Sequence, residues 1–299
     1  MGTVTLSGQL IAPSQDIQDI DIVFQVVNKP VTTILGLKDS LAHKLIQLHP
    51  AVYELKEEES EFATSLKQEF SELFDDKLGK LPLKYKMTLD TSITPVVKPL
   101  FKIPFSQETA VKQELDRMCK LGVISPQKEP TEWVSNIIAA KKKNGDIRIC
   151  IDPKDLNKAL LRPHHPMRTI EDVAARMPNA KVFSTLDAKS SFWQISLDKE
   201  SSLKTTFSTP YGRYKFNRLP FGIKLASEVY QSGMEELFAG YPCAIVVDDL
   251  LVWGQTVKEH DANLRKVLER CKEVNMKLNI SKCRFRLDKV SYVGHEFTS

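Results

Sequence analysis

The stretch Cys243–Trp253, CAIVVDDLLVW, sets two adjacent carboxylates, Asp248 and Asp249, inside an otherwise apolar run of β-forming residues. Apolar β-formers on both sides demand burial in a sheet, whereas like charges this close repel unless a cation compensates them. One solution is a hairpin that carries two solvated aspartates at its turn, where Asp is common. The other is a site for a hard cation, because Mg²⁺ is typically held by one or two carboxylates together with substrate phosphates. A third carboxylate would favour the cation. Asp187, which ends the strand-like run Val182–Leu186, is the candidate, although linear spacing alone does not put it beside the pair.

Composition limits the classes within which that choice is made. A length of 299 residues suits about two domains. With 42% hydrophobic and 27% charged residues the chain reads as soluble and globular, not as disordered, collagen-like or membrane-embedded. No apolar run approaches the roughly 20 residues needed to span a bilayer. The N-terminus MGTVTLSGQL has neither a basic region nor a long apolar core, so neither secretion nor a membrane partner is expected. Five cysteines never form a C-x-x-C pair, which argues against a zinc site or disulfide framework and for a reduced intracellular setting. The net charge of +4 names no partner; its distribution matters more.

Three stretches differ in character. Up to about residue 50, Val23–Val27 and Thr32–Gly36 read as short strands and Leu41–Leu48 as helical. So few large apolar groups would make a marginal free domain. The second stretch, 51–105, opens acidic, with nine Asp or Glu against two Lys between Glu54 and Asp76. Phe62, Leu66, Phe70 and Leu73/Phe74, about four apart, predict an amphipathic helix with a solvated acidic face. The prolines between Leu81 and Pro104 predict an extended connector.

The third stretch, 106–299, carries most of the pattern. Ser106 is placed to cap a helix whose stripe is Val111, Leu115 and Met118, with Gly122 as its stop. Val134–Ala140 and Ile147–Ile151 flank Asn144-Gly145 as a hairpin. Val182–Leu186, Phe192–Leu197 and Lys204–Phe216 read as further strands, and helical stripes run through Tyr230–Phe238 and Leu264–Val274. Recurrent hairpins and irregular alternation predict an α+β fold with a largely antiparallel sheet. Lys141, Lys142, Lys143 and Arg148 on the first hairpin suit phosphates, or simply an edge that resists aggregation; the residues leave both open. The ten Lys or Arg against six Asp or Glu from Lys258 to Ser299 are ordinary for a soluble helix face.

The order of these residues resembles a family. LDAKSSFWQISLDKESSLKTTFSTPYGRYKFNRLPFGIKLASEVYQ, then IVVDDLLVWG, then the helix opened by Glu259-His260-Asp261, then KCRFRLDKVSYVGHEFTS, resembles the palm of a reverse transcriptase from a Gypsy-type LTR retrotransposon. Upstream, ELDRMCKLGVISPQKEPTEWVSNIIAAKKKNGDIRICIDPKDLNKAL is similar to the fingers of these enzymes, and PHHPMRTIEDV to their passage into the palm. The resemblance covers about residues 80–299.

It implies a right-hand polymerase fold and a role for each feature. Asp187 and Asp248 match the two metal-binding aspartates and Asp249 the third carboxylate at the hairpin tip. The family's two-metal scheme implies two Mg²⁺ ions, or Mn²⁺ in their place: one activates the primer 3′-hydroxyl, the other holds the dNTP triphosphate and the leaving pyrophosphate. Lys142 and Arg148 fall where the fingers contact the triphosphate. Phe192 falls at the position whose ring blocks a ribose 2′-hydroxyl, Phe221 at one near the incoming nucleotide and template. Val293-Gly294-His295 resembles the primer grip. Three positions depart from the family: Val246 stands where an aromatic is common, Ser227 replaces a frequent proline, and Ser191 replaces a frequent glycine, which predicts strain in the loop that holds Asp187.

FQVVNKPVTTILGLKDSLAHKLIQL resembles the C-terminal part of a retropepsin-like aspartic protease. The family's D-T-G triplet does not precede it, and Asp90-Thr91-Ser92 lies too late in the chain, so no protease activity is expected. The expected partners are an RNA or DNA template with its primer, dNTPs, and the thumb and RNase H regions that come next in such polyproteins and are missing before Ser299. The setting implied is an intracellular particle or the nucleus. A competing reading is a catalytically silent retroelement relic that at most binds nucleic acid; the intact aspartates favour the enzyme.

Overall fold

In the computed structural model the described residues are 2–11, 17–26, 61–100, 103–141, 147–162, 177–246, 249–292 and 295–298. The chain divides into two units, Met1–Glu59 and Ser60–Ser299. In the first, β1 (Gly2–Ile11) and β2 (Ile17–Val26) pair antiparallel from Gly2↔Val26 to Ile11↔Ile17. Val23–Val26 of the strand expected at Val23–Val27 is thus the end of a longer one, and Val27 lies outside the described residues. Thr32–Gly36 and Leu41–Leu48 lie outside the described residues.

The second unit opens with α1 (Glu61–Glu69) and a 3-10 turn at Ser71–Leu73. The four-residue spacing does what its apolar stripe requires: Leu66, Phe70 and Leu73 are buried. Burying such a side chain is worth about 1.5–3 kcal/mol. The acidic residues are mostly exposed, as expected, and they also pair with basic side chains. Glu69 meets Arg265 at 3.2 Å, Glu72 meets Lys272 at 2.5 Å, Asp75 meets Lys277 at 3.1 Å and Asp76 meets Lys189 at 3.1 Å. Half-exposed pairs such as Glu69–Arg265 and Glu72–Lys272 contribute little stability, so the apolar residues hold the segment. The connector beyond it is extended, yet Leu81, Met87 and Ile103 enter the same core as the rest of the unit. Here β3 (Lys84–Tyr85) lies on that extended stretch.

Next comes α2 (Phe105–Lys120), with Val111, Leu115 and Met118 all fully buried. Ser106 is not its cap. Pro104 takes the N-cap position and no side chain caps the helix, because a proline's fixed φ and missing N–H already suit the entry to a helix. Gly122 does stop it. At φ +67 it donates to the Cys119 carbonyl while Val123 donates to that of Met118, the paired closure that a left-handed glycine permits. Then β4 (Ile124–Pro126) leads to the hairpin of β5 (Asn136–Lys141) and β6 (Ile147–Asp152), closed by Lys141↔Ile147. Lys142, Asn144 and Gly145 lie outside the described residues. A short α3 (Lys154–Ala159) comes after β6.

From β7 (Val182–Asp187) onward the expected strands need two corrections. Phe192–Leu197 is not a strand; Ser191–Gln194 is a 3-10 turn and only Ser196–Leu197 is extended, as β8, paired parallel with β3. The cause is polar. Gln194, 0% exposed, donates to the carbonyls of Lys189 and Lys277 and accepts from the Lys277 N–H. A Cβ on Gly79 would fall 2.1 Å from Gln194 Oε1, so only glycine fits there. The Lys204–Phe216 run likewise divides, into α4 (Lys199–Lys204), capped by Asp198, and the hairpin β9 (Phe207–Thr209)–β10 (Gly212–Phe216).

Helix α5 (Ala226–Leu237), β11 (Cys243–Val246), β12 (Asp249–Gly254), α6 (Val257–Glu273), β13 (Arg284–Leu287), β14 (Lys289–Tyr292) and β15 (His295–Thr298) complete the chain. The central sheet has the order β11-β12-β7-β13, antiparallel throughout. Alternation gives it two faces. Leu186, Leu250 and Val252 join Tyr230, Leu264, Val267 and Leu268 of the two long helices in the main core. Phe183, Ala244 and Leu251 form a smaller cluster on the opposite face with Met177, Ala180 and Val290.

Candidate active site

Strand pairing delivers the carboxylates. β12 lies antiparallel to β7 with Asp249 directly opposite Asp187, so the last residue of one strand faces the first residue of the other at one end of the sheet. Residues this far apart in sequence meet because both runs of apolar residues bury together; the acids are carried to the rim. Asp248 lies outside the described residues, beside Asp249 in sequence.

Like charges opposite each other destabilise a sheet, and here a cation answers them. Lys282 Nζ donates to Asp187 Oδ2 at 2.9 Å. The backbone brings it there: the Asn279 N–H donates to the Asp187 carbonyl, and the N–H groups of Lys282 and Cys283 donate to the carbonyl of Asn279. Two oxygen donors with an ammonium standing in for a cation fit a hard divalent ion. Among the described residues no third His, Cys, Asp or Glu completes a metal cluster. Burial pushes the thiol of Cys283 up to about 12, so it stays protonated beside the acids.

A second group of expected residues also converges. Phe192, 8% exposed, packs against Phe221 with ring centroids 5.0 Å apart and against Tyr230 at 5.8 Å. The Arg148 guanidinium, on the exposed side of β6, stacks over the Phe221 ring at 5.2 Å. Ring-on-ring and cation-on-ring contacts of this kind fix orientation as well as area. Three of the four residues expected at the triphosphate and nucleotide therefore sit together; the fourth, Lys142, lies outside the described residues. So do Val293 and Gly294, while His295 opens β15.

The strain expected in the loop that holds Asp187 falls one residue before Ser191. Ser190 is the residue in the left-handed region, at φ 50, and Ser191 is the buried first residue of the 3-10 turn. Sequence reasoning missed two contributors. Lys282 sat within the KCRF segment with nothing to mark it as a partner of Asp187. Tyr230 was visible only as part of a helical stripe, yet it forms the floor under Phe192.

Known proteins resemble this chain in sequence and in fold. Residues 140–297 match the family model described as reverse transcriptase (RNA-dependent DNA polymerase). The chain is 35% identical over 213 residues to the retrovirus-related Pol polyprotein from transposon 412 of Drosophila melanogaster, covering 68% of this chain and 17% of that one. It is 29% identical over 294 residues to the corresponding polyprotein from transposon opus of the same species, covering 95% of this chain and 29% of that one. The chain thus spans under a third of the length of these relatives. Among solved structures, the foamy viral protease-reverse transcriptase in complex with RNA/DNA hybrid superposes with a TM-score of 0.69 at 17% identity, over 98% of this chain and 43% of that one.

Proposed function

The chain belongs to the reverse transcriptase (RNA-dependent DNA polymerase) family and has its α+β fold, and from that premise we propose that it is the RNA-directed DNA polymerase of a Gypsy-type LTR retroelement. It extends a primer 3′-end with dNTPs on an RNA or DNA template. The observation that carries this reading is the cross-strand pair Asp187↔Asp249 with a cation already on it.

Members of this family generally use divalent metal ions. Asp187, Asp249 and the neighbouring Asp248 would hold them. Such ions, when bound, neutralise phosphate charge and make the attacking hydroxyl more acidic. The protein's own residues do the positioning. The two strands fix the separation and direction of the carboxylates, which turns a bimolecular encounter into an oriented one. Arg148 offers a planar donor set for a triphosphate, and stacking on the Phe221 ring holds its guanidinium in place. Phe192, held by Phe221 and Tyr230, presents a rigid wall where a ribose 2′-hydroxyl would project.

Residues 1–50 are the C-terminal part of a retropepsin-like protease, 51–105 a helix and connector, and 106–299 the fingers and palm. Support for the first comes from the segment FQVVNKPVTTILGLKDSLAHKLIQL and from the protease–reverse transcriptase whose structure matches 98% of the chain. Thumb and RNase H regions of a longer polyprotein are its partners, in an intracellular particle or the nucleus. Primer extension on RNA and DNA templates with dNTPs and Mg²⁺ tests the function. Template-dependent extension is the expected result. Binding of the template–primer without extension would support a silent nucleic-acid-binding relic instead.

A further inference from the structure

Beneath the carboxylate strand lies a closed ring of hydrogen bonds that the reaction itself does not use. Ser184 precedes Asp187 by three residues on β7, and alternation turns it to the helix side of the sheet, where it is 0% exposed. His260, also 0% exposed in the first turn of α6, brings Nε2 to 2.8 Å from Ser184 Oγ. Its other ring nitrogen, Nδ1, lies 3.0 Å from Asp261 Oδ1. Arg286 on β13 closes the ring twice: its guanidinium grips both oxygens of Asp261, and its backbone N–H donates to Ser184 Oγ at 3.1 Å. Gly254 makes room for this, since a Cβ there would meet the His260 backbone nitrogen at 2.4 Å.

The protons can be placed one by one. Burial pushes the Asp261 carboxyl up, but hydrogen bonds from Arg286 and His260 outweigh it and leave the group below its ordinary value. A carboxylate only accepts, so Nδ1 carries the imidazole proton and Nε2 accepts from the Ser184 hydroxyl. The hydroxyl oxygen in turn accepts from Arg286. A proton on Nε2 would force the Ser184 hydroxyl to turn away inside the core. Asp261 and Arg286 are the charged groups that act on the imidazole, Ser184 faces it from β7, Gly254 presents only backbone from β12, and the Phe62 ring of α1 covers the Arg286 guanidinium. Serine, histidine and aspartate have the order of a nucleophilic triad, but a serine with no exposure and both its hydrogen-bonding directions engaged reaches no substrate.

What the ring holds is a kink. β13 pairs with β7 at Arg284↔Thr185 and Leu287↔Phe183, with a register irregularity between them, and Arg286 sits there at φ 51. That backbone is unfavourable for any residue with a Cβ and persists where its surroundings over-determine it. Immediately upstream are Lys282 and Cys283, in the turn whose Asn279 N–H hangs on the Asp187 carbonyl. We infer that His260 is a positioning residue for the Asp187–Asp249 pair: through Ser184 and Arg286 it sets how β13 lies on β7, and so where the Asp187 backbone and the Lys282 ammonium stand. This rests on reading that pair as the polymerase's cation site.

Mn²⁺ affinity, read by electron paramagnetic resonance on the full chain with a thermal melt alongside, tests it. The variants are Ser184→Ala, His260→Gln and, as a packing control one turn along the same buried face, Leu264→Ala. The first two should weaken Mn²⁺ binding by roughly tenfold, the scale seen when the groups that orient metal ligands are removed. Leu264→Ala should lower the melting temperature and leave affinity within about twofold. Affinity that tracks the melting temperature equally in all three, or that holds steady in the ring variants, would overturn the inference while the cation site stands. Failure of the unaltered chain to bind Mn²⁺ would overturn the cation site, and the inference with it. Should the ring variants not fold, ¹⁵N NMR of the imidazoles in the unaltered protein decides: the buried ring should be neutral with its proton on Nδ1 at pH 6.5, and a proton on Nε2 would overturn the assignment.

Discussion

Phe192 owes its rigidity to two rings, Phe221 at 5.0 Å and Tyr230 at 5.8 Å, and rigidity is what a steric gate needs. Phe192→Val should lower the preference for dNTPs over ribonucleotides by on the order of tenfold, because small changes of shape in an apolar pocket are worth about that much. Competing incorporation assays measure it, and an unchanged ratio would remove the gate from Phe192. Lys282 gives a prediction of the opposite kind. Replacing it with Met leaves two facing carboxylates with less cation to answer them, so Mg²⁺ should raise the melting temperature of Lys282→Met more than that of the parent. An equal shift in both would mean that the ammonium and the ion do not compete for Asp187. Phe192 and the carboxylates Asp187 and Asp249 could be singled out in the sequence as candidates because each stands at a recognisable motif position. Lys282 and Ser190 could not: a lysine's partner and a left-handed φ depend on how the turn 279–283 and the loop after Asp187 fold.

At the level of elements, α1 shows how apolar and charged contacts divide their work. Phe70→Ala removes a buried ring and should cost about 3–5 kcal/mol in urea unfolding, whereas Glu69→Gln, at a half-exposed pair with Arg265, should change little and less still in high salt. Comparable losses would mean that charge, not burial, seats the helix. Helix α6 makes a pH prediction. Burial lowers His260 below its ordinary 6.5. Its contribution is therefore complete above pH 6.5; as pH falls below that, the unfolded chain takes up a proton that the folded ring refuses, and stability declines until the lowered value is passed. The stability advantage of the parent over His260→Gln should accordingly be larger at pH 7.5 than at pH 5.5. An advantage that is the same at both would exclude linkage through this imidazole. Periodicity revealed α1, α2, α5 and α6, since long stripes average over local detail. It misread Phe192–Leu197, where Gln194 spends its hydrogen bonds across the chain to Lys277 and bends the segment into a 3-10 turn.

For the whole molecule, the antiparallel α+β plan was readable from the recurrent hairpins, but the strand order was not. Nothing in the spacing of β7, β12 and β13 states that β7 lies between the other two; that order comes from packing two apolar faces at once. The order is also what makes a site, because it sets Asp249 against Asp187 rather than leaving each at a separate edge. The acidic and basic segments, opposed in sign, meet at Glu69–Arg265 and Glu72–Lys272, and their charges offset one another in the near-neutral total. The most direct measurement is the single-turnover rate of dNTP addition to a primer on an RNA template, with Mg²⁺, for the parent chain and Asp187→Asn. Substitution should keep the fold and lower the rate by at least about a hundredfold, the size of effect expected from losing one group that stabilises transition-state charge. Equal rates in the two proteins would contradict the assignment of the Asp187–Asp249 pair as the catalytic centre.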